Sequence, residues 1–336
     1  MRLFPIAVVA ALAIALRAPL ATTVIGLIGF GVLHNVLELR YVTGRFAAVL
    51  AGRFLWLMLG LISAIVLCRL AALFVGGPAR IAEILVGYTV LAAACAKALR
   101  GPLLLAAAAV LTVAMSASLT WPAYHFVILA HLHNVVPLVF LWEWARRLPS
   151  PATRRWFRLF QIFWVLAVPA LILAGVTDPL LGGVTSTVAA FAGDPTPILA
   201  ASAPPVAVAT TMGVRLLVVF AFLQTMHYFV WVYFLPRHAP DAALAFAGRV
   251  PWLRGRRAWA LGAGFGALLA VLLVVDYATG RALYGSIASY HAYLEFPVLL
   301  ALLLGMPAGS VGVPAGSQVV VRESAPGCQP VPAVLT

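Results

Sequence analysis

Residues 20–39 read LATTVIGLIGFGVLHNVLEL, twenty positions with only two ionisable side chains, His34 and Glu38. A helix of that length rises about 30 Å, the thickness of a bilayer's hydrocarbon core. The stretch therefore reads as a membrane span, and the histidine and glutamate inside it need a reason to be there. Further apolar runs lie near 4–17, 47–73, 80–99, 102–119, 122–145, 156–175, 207–235, 257–277 and 282–305. Composition agrees: 64% of the 336 residues are hydrophobic and 9% are charged, with a mean hydropathy of +1.07, whereas soluble domains carry roughly 25% charged residues. The expected fold class is all-α, a polytopic integral membrane helical bundle of about ten transmembrane helices, with one membrane domain over 1–305.

The formal charge of +13 comes from 22 Lys and Arg against nine Asp and Glu. Nucleic-acid binders gather such cations on one polar face. Here they stand mostly at the ends of apolar runs, where they set orientation, so membrane lipids and no nucleic acid are the expected partners. Arg40 and Arg45, Lys97 and Arg100, Arg146 and Arg147, Arg154 and Arg155, then Arg237, Arg249, Arg254, Arg256 and Arg257 fall on alternate connections. The positive-inside rule assigns these to the cytoplasm, while 120–122 and 176–206, without Lys or Arg, are expected outside. Ten spans with both termini cytoplasmic satisfy the alternation, with Arg17 and Arg80 as exceptions, and a prokaryotic inner membrane is the expected location.

The apolar start is expected to be a short first helix rather than a cleaved leader, because Arg17 follows it where a small-residue cleavage site would stand. Residues 176–211, with Asp178 and Asp194, are too long for a simple turn and are expected to cap the external face. GMPAGS at 305–310 and GVPAGS at 312–317 introduce a Pro/Gly/Ser-rich stretch, so 306–336 is expected to be a flexible cytoplasmic tail. Cys68, Cys95 and Cys328 are too scattered for a disulfide framework or a thiolate metal site.

Ionisable groups cost several kcal/mol in hydrocarbon, so those inside spans are partnered or functional. They fall in four blocks: His34 and Glu38 in GVLHNVLELRY, His131, His133 and Asn134 in ILAHLHNVVP, Gln224 and His227 in FLQTMHYFVWVYF, and His291 and Glu295 in SYHAYLEFP. A glutamate four residues after a histidine shares its helix face, where it can bind the same metal or orient the imidazole. Gln224 and Asn134, each three residues from a histidine, share faces likewise. His131 and His133 point in different directions, so one of them joins a cluster; His133 is the expected ligand and His131 the additional candidate.

At about 1.5 Å per residue, His34 lies about 9 Å above Arg40, His227 about 15 Å above Arg237, and His133 and His291 about 20 Å above their inner span ends. These depths converge on one inner-half site. A lone buried histidine is more often a hydrogen-bonded core residue, but four on separate spans at compatible depth point to a shared metal or haem. His125 and His238 read as interfacial, Trp142 and Glu143 as interfacial anchors, and Asp276 as a partner for Arg281. Tyr228, Phe229, Trp231, Tyr233 and Phe234 read as packing residues or as the wall of a pocket for a long apolar substrate.

At the histidine blocks the chain resembles the Brp/Blh family of membrane β-carotene dioxygenases. HNVLE at 34–38 corresponds to that family's first block, a histidine followed four residues later by a carboxylate, and His133, His227 and HAYLE at 291–295 follow in comparable order. The family usually has His-Gly and Asp where this chain has His34-Asn35 and Glu38, and its clustered later histidines are missing around His227, so substrate identity does not carry over. The resemblance implies a non-haem iron held by His34, His133, His227 and His291, with oxidative cleavage of a polyene such as a carotenoid.

With the iron that the resemblance implies, four neutral imidazoles leave an Fe(II) site cationic with positions free for dioxygen, and Glu38 and Glu295 are the candidate catalytic carboxylates, orienting the histidines or reaching the metal. A lipid-soluble alkene is the expected substrate. Three alternatives stay open: a diiron or copper oxidase, hydroxylase or desaturase of lipid chains, a haem protein with facing axial histidines, and a proton-coupled transporter. A transporter often shows inverted repeats or interrupted helices, and no repeat between the halves is evident. Walker and dinucleotide-binding motifs are absent.

Overall fold

In hydrocarbon the backbone must satisfy its own polar groups, which leaves the α-helix as the solution for apolar runs of this length. The computed structural model describes residues 3–182, 188 and 192–304, and those residues form helices and turns without a strand. In chain order they are α1 (Leu3–Arg17), α2 (Pro19–Arg45), α3 (Gly52–Val75), α4 (Gly77–Ala98), α5 (Gly101–Thr120), α6 (Pro122–Val135), α7 (Pro137–Trp144), α8 (Pro151–Ile162), α9 (Val168–Leu173), α10 (Thr196–Ser202), α11 (Thr211–Tyr228), α12 (Leu235–His238), α13 (Pro240–Arg249), α14 (Arg256–Val275) and α15 (Tyr277–Leu303). Proline occupies the first turn of α2, α4, α5, α6, α7, α8 and α13, where its missing N–H costs nothing.

Among the described residues nine helical stretches are long and apolar enough to cross a membrane, the mark of an integral membrane protein: α2, α3, α4, α5, α6–α7, α8–α9, α11–α12, α14 and α15. The tenth apolar run falls short. At 15 residues α1 rises about 22 Å, less than a hydrocarbon core. It still belongs to the bundle, since Phe4, Val8, Ala11 and Ala15 recur at helical spacing and are buried. The proposed tail at 306–336 lies outside the described residues.

Three long stretches are broken, each near a proline. The α6–α7 span is interrupted at Val136, α8 passes into α9 through a π-helical segment at Phe163–Ala167, and α11 passes into α12 through another at Phe229–Phe234. Both π segments end two residues before a proline, Pro169 or Pro236. Proline lacks the N–H that would bond four residues back and crowds the carbonyl there, so the helix widens locally to accommodate it.

The centre of the bundle is α2, packed against α11, α14 and α15, with α6 beside α11 and the α3–α4 pair beside α15. Close approach of α14 to α2 requires Gly262: a Cβ there would stand 3.0 Å from Leu33 Cδ1 and 3.3 Å from Leu33 Cα. Small residues serve this purpose in membranes, where contact rather than water exclusion holds helices together.

Each end of the bundle is tied by polar contacts. Where α2 and α7 finish, Arg45 Nη2 pairs with Glu143 Oε1 at 2.6 Å and Arg147 meets Asp241 through two bonds of 2.6 and 2.9 Å. Glu143, expected as an interfacial anchor, is thus a buried ion-pair partner, while Trp142 is exposed with the Arg158 guanidinium over its ring. At the other end the described part of 176–211 lies across the bundle. Gly182 N–H donates to Leu16 O, Arg215 pairs with Asp178, and Arg281 donates to Pro197 O. Asp276 does not pair with Arg281 as expected. It caps α15, accepting from the Thr279 N–H, because a carboxylate just ahead of a helix satisfies an orphan backbone donor.

Candidate metal centre

His34, His133, His227 and His291 come from α2, α6, α11 and α15 and meet in the interior, with one ring nitrogen of each lying within 4.8 Å of the others. The four rings close a circuit: centroids are 5.1 Å apart for His34–His227, 4.7 Å for His227–His133, 4.8 Å for His133–His291 and 5.0 Å for His291–His34. Three of the four histidines are fully buried and His133 is half-buried.

Local structure aims each ring. His34 Nδ1 donates to the Phe30 carbonyl at 3.0 Å, one turn back on α2, so its Nε2 carries the lone pair. His133 Nδ1 faces Glu295 Oε2 at 3.2 Å, which turns its Nε2 toward His291 Nε2, 3.0 Å away. The break in α6–α7 contributes here. Pro137 cannot donate to the carbonyl of His133, which takes the Val136 N–H instead. His227 Nε2 lies 3.6 Å from Glu38 Oε2. Both glutamates thus stand behind histidines of other helices, not behind the histidine four residues earlier on their own.

Glu38 and Glu295 are almost completely buried and their carboxyl groups interact directly with one another. None of their four oxygens has a donor at good hydrogen-bonding geometry among the described residues. Two facing carboxyl groups in hydrocarbon, beside four imidazoles, form a donor set whose chemistry suits a divalent cation. The set fits one after a modest inward shift: ligand bonds of roughly 2.0–2.2 Å place two donors on a single ion about 3.4 Å apart at a tetrahedral angle and about 4.2 Å apart when opposed, against the 4.8 Å within which these nitrogens lie.

The remaining sequence candidates separate cleanly. His131 is not in the cluster, because its Nε2 bonds the Ser202 carbonyl at 2.8 Å and anchors α10 instead. His125 is bonded to Ser118 Oγ, and His238 to the Phe234 carbonyl. Gln224 donates to the Tyr228 hydroxyl and, with Asn134, lines the cavity of about 220 Å³ into which the histidines open.

Arg69 lines the same cavity and was not legible as a site residue. Its Nε pairs with the buried Glu83 at 2.7 Å and its Nη1 donates to the Gly285 carbonyl. A signal existed: Arg69 and Glu83 stand seven residues either side of Gly76, so an α3–α4 hairpin turning there brings opposite charges level. No family model, curated protein or solved structure matches the chain.

Proposed function

We propose that this chain is a membrane-embedded metal enzyme, a non-haem iron oxygenase acting on a lipophilic alkene or polyene such as a carotenoid. The observation that carries the reading is the convergence of four imidazoles from four helices, backed by two buried carboxyl groups whose oxygens have no hydrogen-bond donor at good geometry among the described residues. His34, His133, His227 and His291 hold the metal. Iron, when bound, supplies the activation of dioxygen that side chains cannot. Glu295 holds His133 in the tautomer that leaves Nε2 free, whereas Glu38 faces Nε2 of His227 and orients that ring so that Nδ1 is the nitrogen left for the metal, as carboxylates behind metal-bound histidines do. Together the two carboxylates balance the charge of a divalent ion in a medium that tolerates no excess charge. Phe126 and Phe220 wall the cavity and keep water from it.

The same convergence argues against haem. His133 Nε2 and His291 Nε2 are 3.0 Å apart and approach a common point, whereas axial ligands oppose each other across a macrocycle. A dinuclear iron or copper centre is the second reading, favoured by the four carboxylate oxygens that have no donor at good geometry among the described residues. The interruption of α6–α7 beside His133 favours a proton-coupled transporter instead.

For topology, we assign ten crossings with both termini cytoplasmic in a prokaryotic inner membrane, α1 serving as a short first span. The Arg45–Glu143–Arg147 end is then inside and the 176–211 cap outside, in keeping with the distribution of Lys and Arg.

Elemental analysis with an optical spectrum on the detergent-purified full-length protein tests the reading. Stoichiometric iron without a Soret band, lost in a His34→Ala/His291→Ala double variant, supports it. A Soret band moves the assignment to haem, and absence of any bound metal moves it to transport.

A further inference from the structure

The histidine cavity is too small for a lipid-sized substrate. Its volume of about 220 Å³ lies below the roughly 300–1,000 Å³ of small-molecule sites. A second hollow, of about 750 Å³, opens on the apolar flank of the bundle between α1, α2, the π segment after α11, and Trp259 of α14. Among the described residues one side chain lines both hollows, Tyr228. Its ring lies 4.6 Å from that of His34 on one side, and on the other it backs the groove beside Gly26, where an added Cβ would stand 3.4 Å from Tyr228 Cε2.

The groove offers little to a polar ligand. Thr22 Oγ1 bonds the Ala18 carbonyl and Thr225 Oγ1 the Ala221 carbonyl, the Tyr228 hydroxyl accepts from Gln224, and the Tyr233 hydroxyl accepts from Arg237. Ile14, Ile25, Phe30 and Phe229 complete an apolar lining. The widened turn of the π segment carries Phe229, Val232 and Tyr233 into that lining, and such segments occur often beside functional sites.

We infer that this groove is a lateral portal that holds the hydrocarbon chain of a membrane-dissolved substrate, with Tyr228 as the partition between the chain and the histidine cavity. The inference rests on the metal-enzyme reading for what happens beyond Tyr228, but the groove itself is tested independently of metal. The occupant is hydrocarbon because the lining is overwhelmingly apolar and its threonine and Tyr228 hydroxyls are engaged within the protein, and it arrives sideways because the groove faces the lipid phase rather than either aqueous end.

The test uses full-length protein in lipid nanodiscs with palmitic acid carrying a terminal diazirine, photolysed and mapped by mass spectrometry. Adducts on Ile25, Phe30 and Trp259 are expected to exceed those on Val110 and Val113, lipid-facing residues of α5, by about ten-fold, the ratio that a modest site preference produces. Ala21→Trp, or Gly26→Leu if the former does not fold, abolishes that excess while leaving the α5 adducts unchanged. Tyr228→Ala extends adducts to Ala288 and Ala292 in the histidine cavity. Squalene added to the discs suppresses the groove adducts. Uniform labelling, or an excess indifferent to the filling substitution, overturns the portal. An excess that squalene does not reduce overturns it in favour of a resident phospholipid. Metal content of the same samples separates the two claims: iron with uniform labelling removes only the portal, and selective labelling without metal removes only the metal centre.

Discussion

The span Thr211–His238 and the helix α5 (Gly101–Thr120) are both apolar, with hydropathies of 1.6 and 2.1, yet 67% of an 18-residue stretch is buried in the first and 6% in the second. The more hydrophobic helix is the one on the outside. In water the order would be reversed, but lipid is as apolar as leucine, so hydrophobicity gives a helix no reason to seek the interior. What draws a helix inward is what lipid cannot satisfy. The first span carries Gln224 and His227 into the core, whereas α5 buries a single residue, Ser118, and that one is hydrogen-bonded to Tyr88 and His125.

The sharpest way to break this comparison is to remove the polar groups that hold the centre. His34→Ala with His291→Ala is expected to reduce bound metal from stoichiometric to background, read by elemental analysis. Full occupancy in that double variant would mean the circuit of rings is a packing motif. Next in size is Arg69→Met, which leaves Glu83 buried without its partner. Breaking such a pair costs about 3–5 kcal/mol, to be read as a fall in melting temperature in detergent, and Glu83→Met in the same chain should restore much of the loss. If the single and double variants melt alike, the Arg69–Glu83 contact is not what orders α3 against α4.

Glu295→Gln comes third. It keeps the shape of the side chain but weakens the acceptor behind His133 Nδ1, and changes of this kind lower metal affinity about 10–100-fold. Competition with a chelator measures the effect. An unchanged affinity would show that His133 is oriented by the helix break at Val136 rather than by Glu295, which would sharpen the account of how α6 is drawn to the centre.

The same contrast explains what was legible in the sequence. The spans were, because hydrocarbon leaves long apolar runs only one structure. The histidines of α2, α6, α11 and α15 were, because an ionisable group in a span is costly enough to demand a partner. His133 was the expected ligand and His131 the additional candidate, but spacing alone separates their directions without giving the reason; the Ser202 carbonyl, seventy-one residues along the chain, is what holds His131 away from the cluster. Arg69 and Glu83 do not stand out in the sequence because they lie near the ends of their runs, where charge is ordinary. The pairing of each glutamate with a histidine from another helix was equally hidden, because a four-residue spacing reports only on neighbours along one helix.

Packing of the lipid-facing helices should respond more mildly than the core. Gly262→Leu forces α14 away from Leu33 of α2, and overpacking of a tight contact typically costs about 1–3 kcal/mol. Because Leu33 precedes His34, this substitution is also expected to weaken metal retention, whereas Gly264→Leu, with nothing within reach of its Cβ, should leave both stability and metal unchanged. Equal effects from the two glycines would show that α14 responds to helix propensity rather than to contact with α2.

The smallest effect belongs to α5 itself. Val110 is 66% exposed on a helix whose most apolar surface faces outward. Replacing it with alanine removes methyl groups from contact with lipid rather than from a protein core, and substitutions away from packed or polar features usually stay within about 0.5 kcal/mol. Val110→Ala should therefore leave the melting temperature and the metal content where they were. A loss comparable to that of Gly262→Leu would mean that α5 is covered by something outside this chain, a second copy being the simplest cover, and size-exclusion chromatography with light scattering would then find a dimer that the variant disrupts. In that event the contrast between inner and outer helices would belong to the protomer and not to the assembly, and hydrophobicity would again say nothing about which side of α5 is inside.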